Sequence, residues 1–201
     1  MNGVTIDCDL AVAIHPADSS VILLTIPGVD GTLDGYENKY ITIAEAAQQK
    51  FGAAVVRIEN PFITSFHWES NVRRILEFIN NNTQAIAKTD DVELRIMAHS
   101  AGASVIAQIA WEYPNISRLL LINPAARLGG ENIKQGLQAF TGDKATILIG
   151  TEDLSYEGIQ TLFGDNDVSK VAVEVVNGAD HYFAGDAFPV FLEAPHTYLF
   201  D

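Results

Sequence analysis

Six short apolar runs recur along the chain, at Val21–Ile26, Ala53–Ile58, Leu94–Ala98, Leu119–Ile122, Thr146–Ile149 and Val171–Val176. They are rich in β-branched residues and barely interrupted by polar ones. That pattern predicts strands buried on both faces, as in a parallel sheet. Thr5–Ile14 reads as a further strand, antiparallel at an edge. Between the runs lie longer segments of helical character. Tyr40–Phe51 carries an apolar stripe and stops at Gly52, a residue suited to the left-handed turn that closes helices. His67–Ala87 sets Val72, Ile75, Leu76, Ile79 and Ile86 close to helical spacing. Ala101–Tyr113 is built of small residues and ends before Pro114, and another helix is expected around Ile133–Phe140. This alternation predicts right-handed crossovers and a mostly parallel, doubly wound α/β sheet of about seven strands. In such sheets chemistry gathers at the carboxyl ends of the strands.

Composition narrows the function classes. The 201 residues are 48% hydrophobic and contain no repeat or linker, so residues 1–201 are read as one domain. A formal net charge of −14 disfavours nucleic acid and anionic membranes as partners. The single cysteine, Cys8, sits in an apolar run and reads as a small buried hydrophobe. No basic start followed by an apolar run, and no apolar stretch of membrane-spanning length, is visible, so a cytoplasmic location is expected. No His-x-x-x-His pair and no cysteine cluster suggests a metal, and no cofactor is expected.

The chemistry begins at Ala98-His99-Ser100-Ala101-Gly102, between a predicted strand and a predicted helix. A serine forced into that sharp turn has a strained backbone and an exposed hydroxyl. The residues two before and two after it must be small, because strand and helix pass close together there. Ala98 and Gly102 meet that demand. The competing reading of Ser100 is a simple helix cap.

The pentapeptide in this context resembles the nucleophile elbow of the α/β-hydrolase superfamily, with alanine in place of the first glycine of G-x-S-x-G. The resemblance runs from about Val21 to about Phe191 and is nearest to small lidless members, the dienelactone hydrolases and small carboxylesterases. It implies a chain order of nucleophile, acid and histidine. The strand Thr146–Ile149 runs into Gly150-Thr151-Glu152-Asp153, and Asp153 matches the acid position. Glu152 stays open as the alternative, with Asp165 and Asp167 as more distant ones. The strand Val171–Val176 leads into Asn177-Gly178-Ala179-Asp180-His181, where His181 matches the general base and Asp180 reads as a loop-holding residue. His99, adjacent to the serine, is expected to point away into the fold. His15, His67 and His196 fall at no comparable strand end.

The resemblance also implies an oxyanion hole. One N–H would come from Ala101 and the other from Val29, in the loop Pro27-Gly28-Val29-Asp30-Gly31-Thr32. A plain turn is the bland reading of that loop. The stretch Asn123–Lys144 is too short for a large lid, so an open site is expected. Phe62, Phe66, Trp68, Tyr182 and Phe183 are read as core before pocket. The expected activity is cleavage of a small ester or related acyl substrate through an acyl-enzyme. A thioesterase, peptidase or C–C hydrolase on the same triad, and an inactive binding or scaffold domain, remain as alternatives.

Overall fold

The chain is described here from a computed structural model covering residues 9–61, 67–164 and 168–201. Cys8, Phe62, Phe66, Asp165, Asp167 and the first part of the strand expected over Thr5–Ile14 lie outside those residues.

Seven strands form one sheet in the order β1-β3-β2-β4-β5-β6-β7. They are β1 (Val12–His15), β2 (Val21–Ile26), β3 (Ala54–Ile58), β4 (Glu93–His99), β5 (Ile116–Ile122), β6 (Lys144–Gly150) and β7 (Val171–Val176). All neighbours pair in parallel except the edge strand β1, which runs antiparallel to β3. The helices are α1 (Lys39–Phe51), α2 (Trp68–Asn81), α3 (Thr83–Ala87), α4 (Ala101–Ile109), α5 (Gly130–Ala139), α6 (Tyr156–Phe163) and α7 (Phe188–Pro195).

The unbroken apolar runs of the inner strands are explained by a core on each face, whereas β7, expected to be buried on both faces, lies at the sheet edge with Glu174 and Val175 exposed. In β2, Ile22, Leu24 and Ile26 join one cluster with residues of α2 to α6. Leu23, between them, joins a second cluster with Tyr40 and Ile43 of α1 and Phe191 of α7. Strand side chains alternate faces, so a strand covered on both sides must be apolar at every position.

Two segments differ from the periodicity. The helix expected over His67–Ala87 breaks into α2 and α3 at Asn82. There the Asn82 side chain donates to the Phe78 carbonyl at 2.7 Å, a local bond that competes with helix continuation. The helix expected to reach Tyr113 ends at Ile109 and tightens into a single 3₁₀ turn at Ala110–Glu112. Gly52 closes α1 as expected, at φ 64°.

Chain reversal positions the site. β2 lies between β3 and β4, with Ile26 beside Ala98. The loops leaving β2 and β4 therefore open on the same crevice, with those leaving β5, β6 and β7 further along the same edge.

Candidate active site

β4 ends at His99, and the chain turns at Ser100 with φ 55° and ψ −122°. A non-glycine residue held there stores about 1–3 kcal/mol of backbone strain. Backbone bonds on both sides hold it. Its N–H donates to the Ile122 carbonyl at 2.9 Å, and its carbonyl accepts the Ser104 N–H at 3.0 Å. The hydroxyl caps nothing, because no side-chain cap bond is made at the start of α4. Gly102 permits the crossing. A Cβ there would stand 2.4 Å from the Pro27 carbonyl oxygen. A Cβ on Gly28 would stand 2.9 Å from the Ser100 Cβ, so the loop after β2 passes directly over the serine.

Asp153 and His181 come from the loops after β6 and β7. The His181 Nδ1–H donates to the Asp153 Oδ2 at 2.5 Å. The other Asp153 oxygen accepts the Ser155 N–H at 2.6 Å. Burial alone would raise the Asp153 pKa, but the bonds from His181 and Ser155 hold it below the usual carboxylate range. An ionised Asp153 fixes His181 as the tautomer with a free Nε2. Glu152 is exposed, and its side chain makes no such contact. Asp180 holds the loop, its Oδ1 accepting the Tyr182 and Ala184 N–H groups at 3.0 and 2.9 Å. Phe183 is fully buried and anchors the loop from the core side.

Three site residues escaped sequence reasoning. Asn123, fully buried at the end of β5, ties the loops after β6 and β7 together. Its Nδ2 donates to the Asp180 and His181 carbonyls at 3.0 and 3.1 Å, and its Oδ1 accepts the Gly150 N–H at 2.9 Å. Its place at a core strand's carboxyl end was the available signal. His99 is buried, as expected, but does not turn away from the site. Its Nε2–H donates to the His181 carbonyl at 2.8 Å, and the two rings lie 5.0 Å apart. Burial, with the Lys39 charge nearby, pushes its pKa down to about 3 and keeps it neutral. Lys39, the first residue of α1, is also buried in the cavity wall, and helical periodicity gave no hint of it. Ser100, Asn123, Phe183 and Asp30 all have positive φ without being glycine, so backbone strain gathers around this crevice.

A cavity of about 1030 Å³ opens over these residues. Pro27 to Thr32, Lys39, His99, Ser100, Asp153 and His181 line it, with Arg127 and Glu152. Val29, Tyr36, Leu154 and Tyr182 form an exposed apolar rim. Phe183 is core, whereas Tyr182 belongs to this rim. The loop after β2 does contain a turn, the Gly31 N–H donating to the Gly28 carbonyl at 3.2 Å. Val29 and Ala101 N–H groups have no acceptor among the described residues. The Ser100 Oγ has no hydrogen-bond partner among them either. Among the described residues no group of three or more His, Cys, Asp or Glu side chains is set to hold a metal. No helix among them is long and apolar enough to cross a membrane.

No protein-family model matches the chain, and no curated protein matches it by sequence. Solved structures do match in three dimensions. Est1E from Butyrivibrio proteoclasticus is 17% identical at a TM-score of 0.74, over 97% of this chain and 96% of that one. A dienelactone hydrolase from Anabaena variabilis is 16% identical at 0.73, over 95% and 91%. A monoacylglycerol lipase from Paleococcus ferrophilus is 13% identical at 0.70, over 93% and 96%. At these identities the likeness speaks for the fold.

Proposed function

The chain has the α/β-hydrolase fold, and on that fold we propose that it is a serine hydrolase cleaving a small ester through an acyl-enzyme. One observation carries the reading: the Asp153–His181 pair opens on the same cavity as a serine hydroxyl held out by a strained turn. Two solved structures of similar shape bear the names dienelactone hydrolase and monoacylglycerol lipase, and both names denote cleavage of an ester bond.

In the proposed reaction, His181 Nε2 takes the Ser100 hydroxyl proton as Oγ bonds to the ester carbonyl carbon. The carbonyl oxygen becomes an oxyanion and is received by the Val29 and Ala101 N–H groups. As the tetrahedral carbon collapses, the C–O bond to the alcohol breaks, and His181 returns the proton to that oxygen. Water then attacks the acyl-Ser100 ester by the same route. Asp153 stays ionised throughout and holds the imidazolium.

Labelling with a fluorophosphonate tests the nucleophile. Wild type should label and Ser100→Ala should not; equal labelling overturns the assignment. Parallel panels of short p-nitrophenyl esters and acyl-thioesters separate esterase from thioesterase activity. Labelling without turnover on either panel would count against the small-ester reading.

A further inference from the structure

Lys39 sits badly by every rule that governs a lysine placed for stability. It is 4% exposed, and buried charges are normally paired. Lys39 forms no ion pair and no hydrogen bond among the described residues. It occupies the first turn of α1, which carries no acidic residue and where the helix dipole disfavours a cation. What accompanies its ammonium is aromatic: Nζ lies 4.0 Å from the Phe191 ring centroid and 5.4 Å from that of Tyr40. Cation–π contact compensates only part of the lost hydration. The chain is otherwise strongly acidic, yet no carboxylate pairs directly with Lys39, and Asp180 acts on its ammonium only through the field of its charge. Its side chain lines the cavity that holds Ser100, His99 and His181.

A largely buried cation with no ion pair, in the wall of a ligand cavity, is a site suited to an anion. We propose that Lys39 recognises a carboxylate on the substrate, so that the preferred ester bears a negative charge. This rests on reading the cavity as an ester-hydrolysing site. The acids along the wall do not fill the role. Asp153 is bonded to His181, while Asp30 and Glu152 are exposed. Arg127, exposed on the loop after β5, adds a second cation to the wall.

The ionisation of Lys39 gives the proposal a signature. Burial pushes the ammonium down to about 8, opposed by the Asp180 carboxylate in the loop after β7. The other titratable groups around it are His99 at the end of β4 and Tyr40 beside it on α1, while α7 presents the uncharged Phe191 ring. His99 is held neutral and burial raises Tyr40 well above its ordinary value, so neither titrates together with Lys39.

The test compares matched esters that differ in one charge. Monoethyl adipate beside diethyl adipate carries the charge on the acyl side. 4-Acetoxybenzoate beside methyl 4-acetoxybenzoate carries it on the leaving group. Near neutral pH the wild type should favour at least one charged member by about tenfold or more in kcat/KM, the value of one charge-assisted contact. Lys39→Met and Lys39→Gln should each erase that preference. In wild type the preference should fade as pH rises through about 8, and neither variant should show that fade. Ligand-observed NMR with benzoate and benzamide reads the same contact without turnover. Benzoate binding that Lys39→Met abolishes, with no ester turned over, would keep the anion site and sink the hydrolase reading. Ester turnover with the same charged-to-neutral ratio in wild type and both variants would do the reverse.

Discussion

The buried amide of Asn123 donates to the backbone carbonyl of His181 at 3.1 Å while its oxygen accepts the Gly150 N–H at 2.9 Å. One side chain thus spans the loops that carry the proposed acid and base. Gly150 is tight against the second loop as well, since a Cβ on it would stand 2.2 Å from the Ala179 carbonyl oxygen. Asn123→Asp can still accept from Gly150 but can no longer donate to the two carbonyls. The Asp180 carbonyl keeps the Phe183 N–H at 3.3 Å and the His181 carbonyl keeps the His99 Nε2–H at 2.8 Å, so the cost is two lost hydrogen bonds at about 0.5–1.5 kcal/mol each, and both conformational stability and kcat should fall. Urea unfolding and ester kinetics on the same sample check this. A variant that loses stability and keeps kcat would mean that the amide holds the fold and leaves the geometry of His181 alone.

The acid has two sequence candidates one residue apart, and the geometry favours one. Asp153 reaches His181 Nδ1 at 2.5 Å with a side chain only 1% exposed, whereas Glu152 faces solvent. Asp153→Asn removes the group that fixes the histidine tautomer and should lower kcat by roughly 10⁴-fold. Glu152→Gln should lose far less. Equal losses in the two variants would remove Asp153 from the proposed role.

Much of this was legible because it is local or periodic. A strand buried on both faces has to be apolar throughout, so Val21–Ile26 could be bounded to the residue, and Val171–Val176 was bounded equally well by its β-branched run although it is a half-exposed edge strand. Ser100, Asp153 and His181 each follow such a run, and the doubly wound topology brings strand ends together without any further signal. Asn123, His99 and Lys39 follow a different logic. Each acquires its partners across 27 residues or more or, for Lys39, an aromatic ring from α7. Nothing in local periodicity marks an asparagine that will bond two distant loops or a lysine that the fold will bury unpaired. The break at Asn82 was missed because an asparagine bonding its own backbone leaves the apolar spacing of His67–Ala87 intact.

Gly28 and Gly102 lie on either side of the same crossing and should fail differently. A Cβ at Gly102 would meet rigid backbone, the Pro27 carbonyl, at 2.4 Å. Gly102→Ala should therefore cost stability, by about 1–3 kcal/mol for an overpacked core contact. A Cβ at Gly28 would meet the Ser100 Cβ at 2.9 Å and its Oγ at 3.4 Å. Gly28→Ala should instead act on activity, by shifting the serine or the loop that passes over it. Denaturant midpoints and kcat/KM measured on both variants separate the two effects. A Gly28→Ala enzyme as active as wild type would show that the loop has more room above Ser100 than this packing allows.

His99 ties the loop after β7 to β4 and is held neutral by its burial. Its ring is buried against His181 and Phe191, and burial pushes its pKa from 6.5 down to about 3. In the unfolded chain the same imidazole takes a proton near 6.5. Between those values the unfolded state binds more protons than the folded one, so stability must fall as pH falls through that window. The contribution is complete above 6.5 and declines progressively toward about 3. His99→Gln removes the titration while keeping an N–H that can reach the His181 carbonyl. Melting temperatures followed from pH 7 to about pH 4 should therefore drop less steeply in the variant than in wild type. The difference between the curves isolates His99 from the rest, including the depressed His15, which titrates in both proteins. Parallel curves would mean that the buried ring picks up its proton without cost, and the neutral Nε2–H donor to His181 would have to be abandoned.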